Sequence, residues 1–203
     1  MKVAVRLGRI AVAALVSPAI LVACLRTPEI RYYTIGAAAS DRSAPAELAR
    51  YTVRVEPASV PEILDRPELV LRVSPTEVTI DDQRRWAEPL QSGIARAVAG
   101  DLARELDGAR VVFAPEGTTK ETTNVEVAID VQRLDATLGV GAGVDVAWVA
   151  RWTDDGHTRT GRSVQHAPAA PGGGYDALVL ACGQALAAVS SDIARSVRAA
   201  AMN

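Results

Sequence analysis

Of the two cysteines in the 203-residue chain, Cys24 stands where a thiol can do chemistry. It closes the run Leu21-Val22-Ala23-Cys24, with a branched apolar residue three positions before it and a small residue just before it. That spacing suits a peptidase that cuts before the cysteine, because the small Ala23 lets the enzyme close on the chain. The Cys24 sulfur is the acceptor for diacylglycerol. What precedes Cys24 reads as an export signal: Lys2, Arg6 and Arg9 form a positive region, and Ile10 to Val22 is apolar apart from Ser17 and Pro18. This stretch is too short to span a bilayer, which takes about 20 apolar residues. With lipid on Cys24, Cys182 has no partner for a disulfide within the chain. Its neighbours Ala181, Gly183 and Ala185 predict a small buried thiol.

The other residue types capable of chemistry lack the right company. His157 and His166 have no ligand-spaced partners and read as exposed loop histidines, so no metal is expected. Asp81-Asp82 and Asp154-Asp155 are adjacent acidic pairs placed where turns are expected. Adjacent side chains on a strand face opposite ways, so neither pair makes an acid/base dyad. The glycines of Gly139-Val140-Gly141-Ala142-Gly143 have no third-glycine match, since Val144 follows, and they join strand to strand as a flexible turn. No phosphate-binding loop or serine nucleophile elbow is present. The chain is expected to be neither an enzyme nor a cofactor binder.

Cleavage before Cys24 leaves residues 24–203, enough for one domain with a proper core. It also removes three positive side chains from a formal charge of −2. Without a basic stripe, and with 4% aromatic residues, nucleic-acid binding has no support. Three segments follow: 1–23 as signal peptide, 24–30 as lipidated cysteine and tether, and 31–203 as a single domain. The six residues Leu25 to Ile30 reach about 20 Å when extended, which keeps the domain close to its membrane.

Alternation marks the strands. Arg31 to Ile35 is strand-like; Val53 and Val55, then Leu69, Leu71 and Val73, then Val78 and Ile80 follow with period two. Val60 to Pro67 is a proline-punctuated connection. Leu90, Ile94, Val98, Leu102 and Leu106 make the apolar stripe of a helix with Pro89 in its first turn and Gly108 at its end. Arg110 to Ala114, Asn124 to Leu134 and Val144 to Thr153 read as strands, and Thr158 to His166 as an edge strand. Trp148 and Trp152 share a core face, and Trp86 pins the start of the first helix. Tyr175 to Met202 is a second helix, with Leu178, Cys182, Leu186, Val189, Ile193 and Val197 as its stripe. The sum is an α+β fold: a mostly antiparallel sheet of about six strands with two amphipathic helices on one face.

Three segments then carry a resemblance: Tyr32-Tyr33-Thr34-Ile35 soon after the cysteine, Pro61 to Val70 with Leu64-Asp65-Arg66-Pro67 at its centre, and Arg85-Trp86-Ala87-Glu88-Pro89-Leu90. In this order they resemble the ABC-type transport auxiliary lipoproteins, a family of membrane-integrity transport subunits, across essentially the whole mature chain. Ile63 departs from the pattern, where many members carry tyrosine. The resemblance implies a non-catalytic lipoprotein subunit of an MCE-type lipid transport system. It would be lipid-anchored in the outer membrane, facing the periplasm, where it docks a periplasm-spanning MCE-domain (PqiB-like) protein and supports envelope integrity. Leu25 after the cysteine agrees with the outer membrane by the sorting rule of enterobacterial lipoproteins. Tyr32, Tyr33, Leu64, Asp65, Arg66, Trp86 and Glu88 are then the candidate docking residues, and self-association into a homo-oligomer fits the same picture. The alternatives are a stand-alone lipid-binding carrier, which would need a continuous apolar cavity, a periplasmic enzyme, and a purely structural envelope lipoprotein.

Overall fold

The computed structural model describes residues 29–36, 51–106, 108–114 and 123–201; the signal peptide expected over residues 1–23 and the expected lipidation site Cys24 lie outside them. In chain order the described elements are β1 (Arg31–Tyr33), β2 (Thr52–Val55), a 3₁₀ turn (Glu62–Leu64), β3 (Glu68–Ser74), β4 (Glu77–Trp86), α1 (Leu90–Glu105) and β5 (Arg110–Phe113). They continue with β6 (Val125–Thr137), β7 (Gly141–Trp152), β8 (Thr158–Pro168) and α2 (Gly174–Ala201). The eight strands form two sheets, β1-β4-β3 and β5-β2-β6-β7-β8. The α+β class holds, but both sheets are mixed: β1 runs parallel to β4, and β2 runs parallel to both β5 and β6. Parallel neighbours need a crossover, and α1 supplies one on the way to β5. Alternation within a strand carries no sign of its neighbour's direction.

The long hairpin β6–β7 is the spine of the larger sheet, paired from Val125↔Trp152 to Thr137↔Gly141. Val125, Val127, Ile129 and Val131 point inward, and a bulge between Val131 and Arg133 then shifts the parity, so Leu134 and Ala136 are the next inward residues. This carries the strand three residues past Leu134. Against the inner face lie α1, through Ile94, Val98 and Leu102, and α2, through Leu178, Leu186, Val189 and Ile193. Asp101, set beside the apolar stripe by its spacing, is buried between the helices, where it meets Ser190 at 3.4 Å and Arg104. α2 is long and apolar enough to cross a membrane, yet 67% of its most apolar window is buried inside the protein, so it is a core helix.

Pro89 sits at the N-cap of α1, one position before the helix, where its carbonyl accepts from the N–H groups of Ser92 and Gly93. Gly108 takes φ 86° just past the helix end. Asp81-Asp82 belongs to β4 and not to a turn, and His166 is an exposed residue of β8 and not of a loop. The glycine run also differs from a flexible turn. Only residues 138–140 turn, and Gly141 to Gly143 open β7. A Cβ on Gly141 would lie 2.2 Å from the Ala167 carbonyl oxygen, and one on Gly143 would lie 2.6 Å from the His166 ring. These glycines let β8 approach.

Trp148 and Trp152 are buried, at 7% and 3% exposure. The Trp148 ring lies across Gly161 on β8, and its Nε1 donates to Ser163 Oγ at 3.2 Å. A Cβ on Gly161 would fall 2.2 Å from that ring. Gly161→Ala is therefore expected to lower stability by about 1–3 kcal/mol through forced displacement of the indole. Urea unfolding checks this, with Gly156→Ala a poor control, because that residue's φ of 72° adds backbone strain.

Candidate functional site

The three motif segments, far apart in sequence, meet at one corner of the small sheet. β1 pairs with the end of β4 so that Tyr33 lies opposite Trp86. The Ala87 N–H donates to the Tyr33 carbonyl at 2.8 Å, and the Trp86 N–H donates to that of Pro67 at 2.7 Å. The proline-bounded segment closes its 3₁₀ turn with Leu64 N–H on the Pro61 carbonyl at 2.8 Å, and Gln91 of α1 reaches back to the Asp65 carboxylate at 2.6 Å.

Within this corner the candidate residues divide by burial. Leu64 and Trp86 are buried, at 6% and 9% exposure, in an apolar pack with Leu69, Leu90, Leu178 and Cys182. Glu88 is half-buried and pairs with Arg96 at 3.1 Å, and Arg96 in turn lies over the Phe113 ring. Tyr33 is half-buried against Tyr175, with ring centroids 6.2 Å apart. Arg66 is half-buried, while Tyr32 and Asp65 are exposed, Tyr32 at 64%. Ile63 is also exposed.

Sequence reasoning missed a polar cluster beside this corner. The Tyr175 hydroxyl donates to Asp81 Oδ2 at 2.6 Å, Arg84 sits 4.7 Å over the Tyr175 ring, and Asp81 is 3.6 Å from the Arg84 guanidinium. Burial alone would raise the Asp81 pKa, but the Tyr175 hydroxyl, the Gln83 N–H and Arg84 together hold it below its ordinary value. Burial, and then Asp81, push the Tyr175 hydroxyl up. Residues 94 positions apart carry this bond, so no local spacing could reveal it.

Cavities distinguish a carrier from a surface module. The space among Leu64, Trp86, Leu90, Leu178 and Cys182 is about 10 Å³, near the size of a single water site. An open groove of about 250 Å³ lies between the small sheet and β6, lined by Ile63, Val70, Val78 and Leu134. A shallower one of about 470 Å³ runs by Val140, Gly141, His166 and Pro168. Arg72 and Asp135 line both, joined at 2.7 and 2.9 Å. Cys182 is 1% exposed, and burial pushes its thiol up to about 12, so it is an inert packing residue. His157 stacks on Trp152 at 4.1 Å and faces Asp155 at 2.7 Å, a local turn arrangement. Among the described residues no group of three histidine, cysteine or acidic side chains could hold a metal ion.

Residues 33–194 match the ABC-type transport auxiliary lipoprotein components. The chain belongs to this family. It is similar to the intermembrane transport lipoprotein PqiC of Escherichia coli (strain K12), 27% identical over 96 residues, which is 47% of this chain and 51% of that protein. PqiC of Shigella flexneri matches with the same identity and coverage. The chain thus spans about half the length of the curated relatives it matches. A solved crystal structure of an uncharacterized protein aligns with TM-score 0.62 at 19% identity, covering 83% of this chain and 99% of that one. Protein XCC0632 from Xanthomonas campestris aligns with TM-score 0.56 at 19% identity, over 81% and 92% of the two chains. These two likenesses concern the fold.

Tyr175→Phe should destabilise the protein by about 1–2 kcal/mol at neutral pH, since it strips a donor from a charged acceptor. Because the folded Asp81 pKa is depressed, its contribution is present above the unfolded carboxyl value and is lost as pH falls through the folded value. Asp81→Asn should therefore flatten part of the acid-side fall in urea midpoint between neutral pH and about pH 3.

Proposed function

We propose that this protein is the non-catalytic, outer-membrane lipoprotein subunit of an MCE-type lipid transport system. Cys24 carries the acyl chains, each buried CH₂ worth about 0.8 kcal/mol, and so fixes the domain to the membrane facing the periplasm. The domain docks a periplasm-spanning MCE-domain protein there and supports envelope integrity, and copies of it associate around that partner. The observation that carries this reading is the family match over residues 33–194 downstream of the Leu21-Val22-Ala23-Cys24 pattern. The packed corner supports a docking module over a carrier that holds an acyl chain between helices and sheet: the space at that junction is about 10 Å³, far below the roughly 300 Å³ at which small-molecule pockets begin, and the larger grooves of about 250 and 470 Å³ are open to the surface.

On this reading the exposed Tyr32 and Asp65, with the half-buried Arg66, meet the partner, and Leu64 and Trp86 hold the surface in shape. Affinity purification from detergent-solubilised native membranes, followed by mass spectrometry, tests the assignment. An MCE-domain protein should co-purify with the lipidated form and be lost or weakened with Cys24→Ser. Recovery of the lipidated chain alone, under conditions that keep other envelope complexes intact, would favour a stand-alone carrier. Tyr32→Ala should reduce co-purification with an unchanged melting temperature. Trp86→Ala should instead cost about 3–5 kcal/mol of stability by emptying the corner.

A further inference from the structure

The two ends of the larger sheet differ in chemistry. At one end lie Arg110, Asn124 and the turn Asp154-Asp155-Gly156-His157, brought together because β2, β5 and β6 start side by side. At the other end three connections meet. The β6–β7 turn exposes Leu138 (44%) and Val140 (67%), and the β8–α2 loop joins it through the Ala169 N–H on the Val140 carbonyl at 3.0 Å. The β3–β4 hairpin tip exposes Val73, Val78 and Ile80, and the Arg72–Asp135 ion pair ties it to the end of β6. The sequence is as one-sided as the surface. Residues 137–144 and 167–175 carry no charge, and residues 73–80 carry one, Glu77. Charged loops at one end and apolar loops at the other are expected if the apolar end is not left in water.

The direction of β1 bears on what could cover it. β1 is parallel to β4, with Arg31 opposite Arg84, so the N-terminal end of β1 faces the residues of β4 that precede Arg84 and hence the hairpin tip. The seven residues from Arg84 back to Glu77 span about 23 Å. Cys24 and Arg31 are also seven positions apart, a span of about 23–25 Å when extended. The tether is thus long enough to bring Cys24 near the level of the apolar loops and too short to lift them clear of whatever holds Cys24.

We propose that the apolar end, formed by residues 73–80, 138–140 and 168–173, rests on the lipid surface that holds the Cys24 acyl chains. The domain then stands on the bilayer with its long sheet axis upright and its charged loops facing away. This rests on lipidation at Cys24. The shallow apolar loops add to the anchor and set the domain's height and tilt, leaving the outer faces of both sheets open to partners.

Cysteine probes test the orientation, because Cys182 is 1% exposed and will not take a label. The full lipidated protein, carrying Val78→Cys, Val140→Cys or Asp154→Cys labelled with an environment-sensitive fluorophore, is reconstituted into phosphatidylethanolamine/phosphatidylglycerol vesicles containing doxyl-labelled lipid. Flotation reports the anchor, and quenching reports the orientation. Probes at 78 and 140 should shift to the blue and lose roughly half or more of their emission, as expected for groups held at the headgroup boundary, with the probe at 154 unaffected. Flotation with all three probes unquenched would overturn the orientation and leave lipidation standing. A blue shift at 78 and 140 without vesicles, growing with protein concentration, would also overturn it by placing a second copy on this end. Failure to float would remove the lipidation reading and this proposal together.

Discussion

The seating of Trp86 is the constraint on which the small sheet depends. Its ring is buried among residues of the 3₁₀ turn, β3, α1 and α2, while its backbone bonds to Pro67 and lies opposite Tyr33. One residue thus brings these segments to a common point, and the last residue of β4 becomes the place where α1 can begin. The small sheet buries little of its own: residues 77–80 are exposed throughout. Two or three strands without a covered face are marginal in water. This corner, with the Arg72–Asp135 pair, is what holds them to the larger sheet.

The same packing decides where function can reside. Both helices close tightly on the inner face of the larger sheet, and even the polar pair Asp101 and Ser190 is enclosed between them. With the helix–sheet junction filled, the space left among the described residues lies at the surface, in the grooves beside Arg72 and Asp135. That surface includes the exposed residues around the motif corner, the paired charges on the outer face of the larger sheet, such as Asp145 with Arg162 at 2.6 Å, and the apolar loops at one end.

Much of this was legible in the residues. The stripe from Leu90 to Leu106 and that from Leu178 to Val197 fixed both helices, because period 3.6 over many turns has few other meanings. The inward face of β6 followed from Val125 to Val131, and the burial of Cys182 from its small neighbours. Three features were not legible. Strand direction leaves no mark on alternation, so the parallel pairs were unseen. The bulge after Val131 changes parity without any special residue. The glycines of residues 141 and 143 looked like a turn because their reason, the close passage of Ala167 and His166, lies on another strand. For the motif corner, sequence order identified the family's segments, but only burial separates Leu64 and Trp86, which face inward, from Tyr32 and Asp65, which do not.

β1 is only three residues long, yet it is joined to the deepest part of the fold. Tyr33 lies against Tyr175, and beyond it the Gly36 carbonyl passes so close to α2 that a Cβ on Gly183 would sit 2.9 Å away. The first strand of the domain is therefore braced by its last helix. A pull on the chain ahead of Arg31 runs along the strand axis, so it loads the pairs with β4 all at once in shear instead of peeling them one by one. From there the force passes into α2 and the buried core. Tension applied at the N-terminal end of β1 would thus reach the core before it could peel the small sheet, as a load does when a screw goes into the beam and not into the cladding.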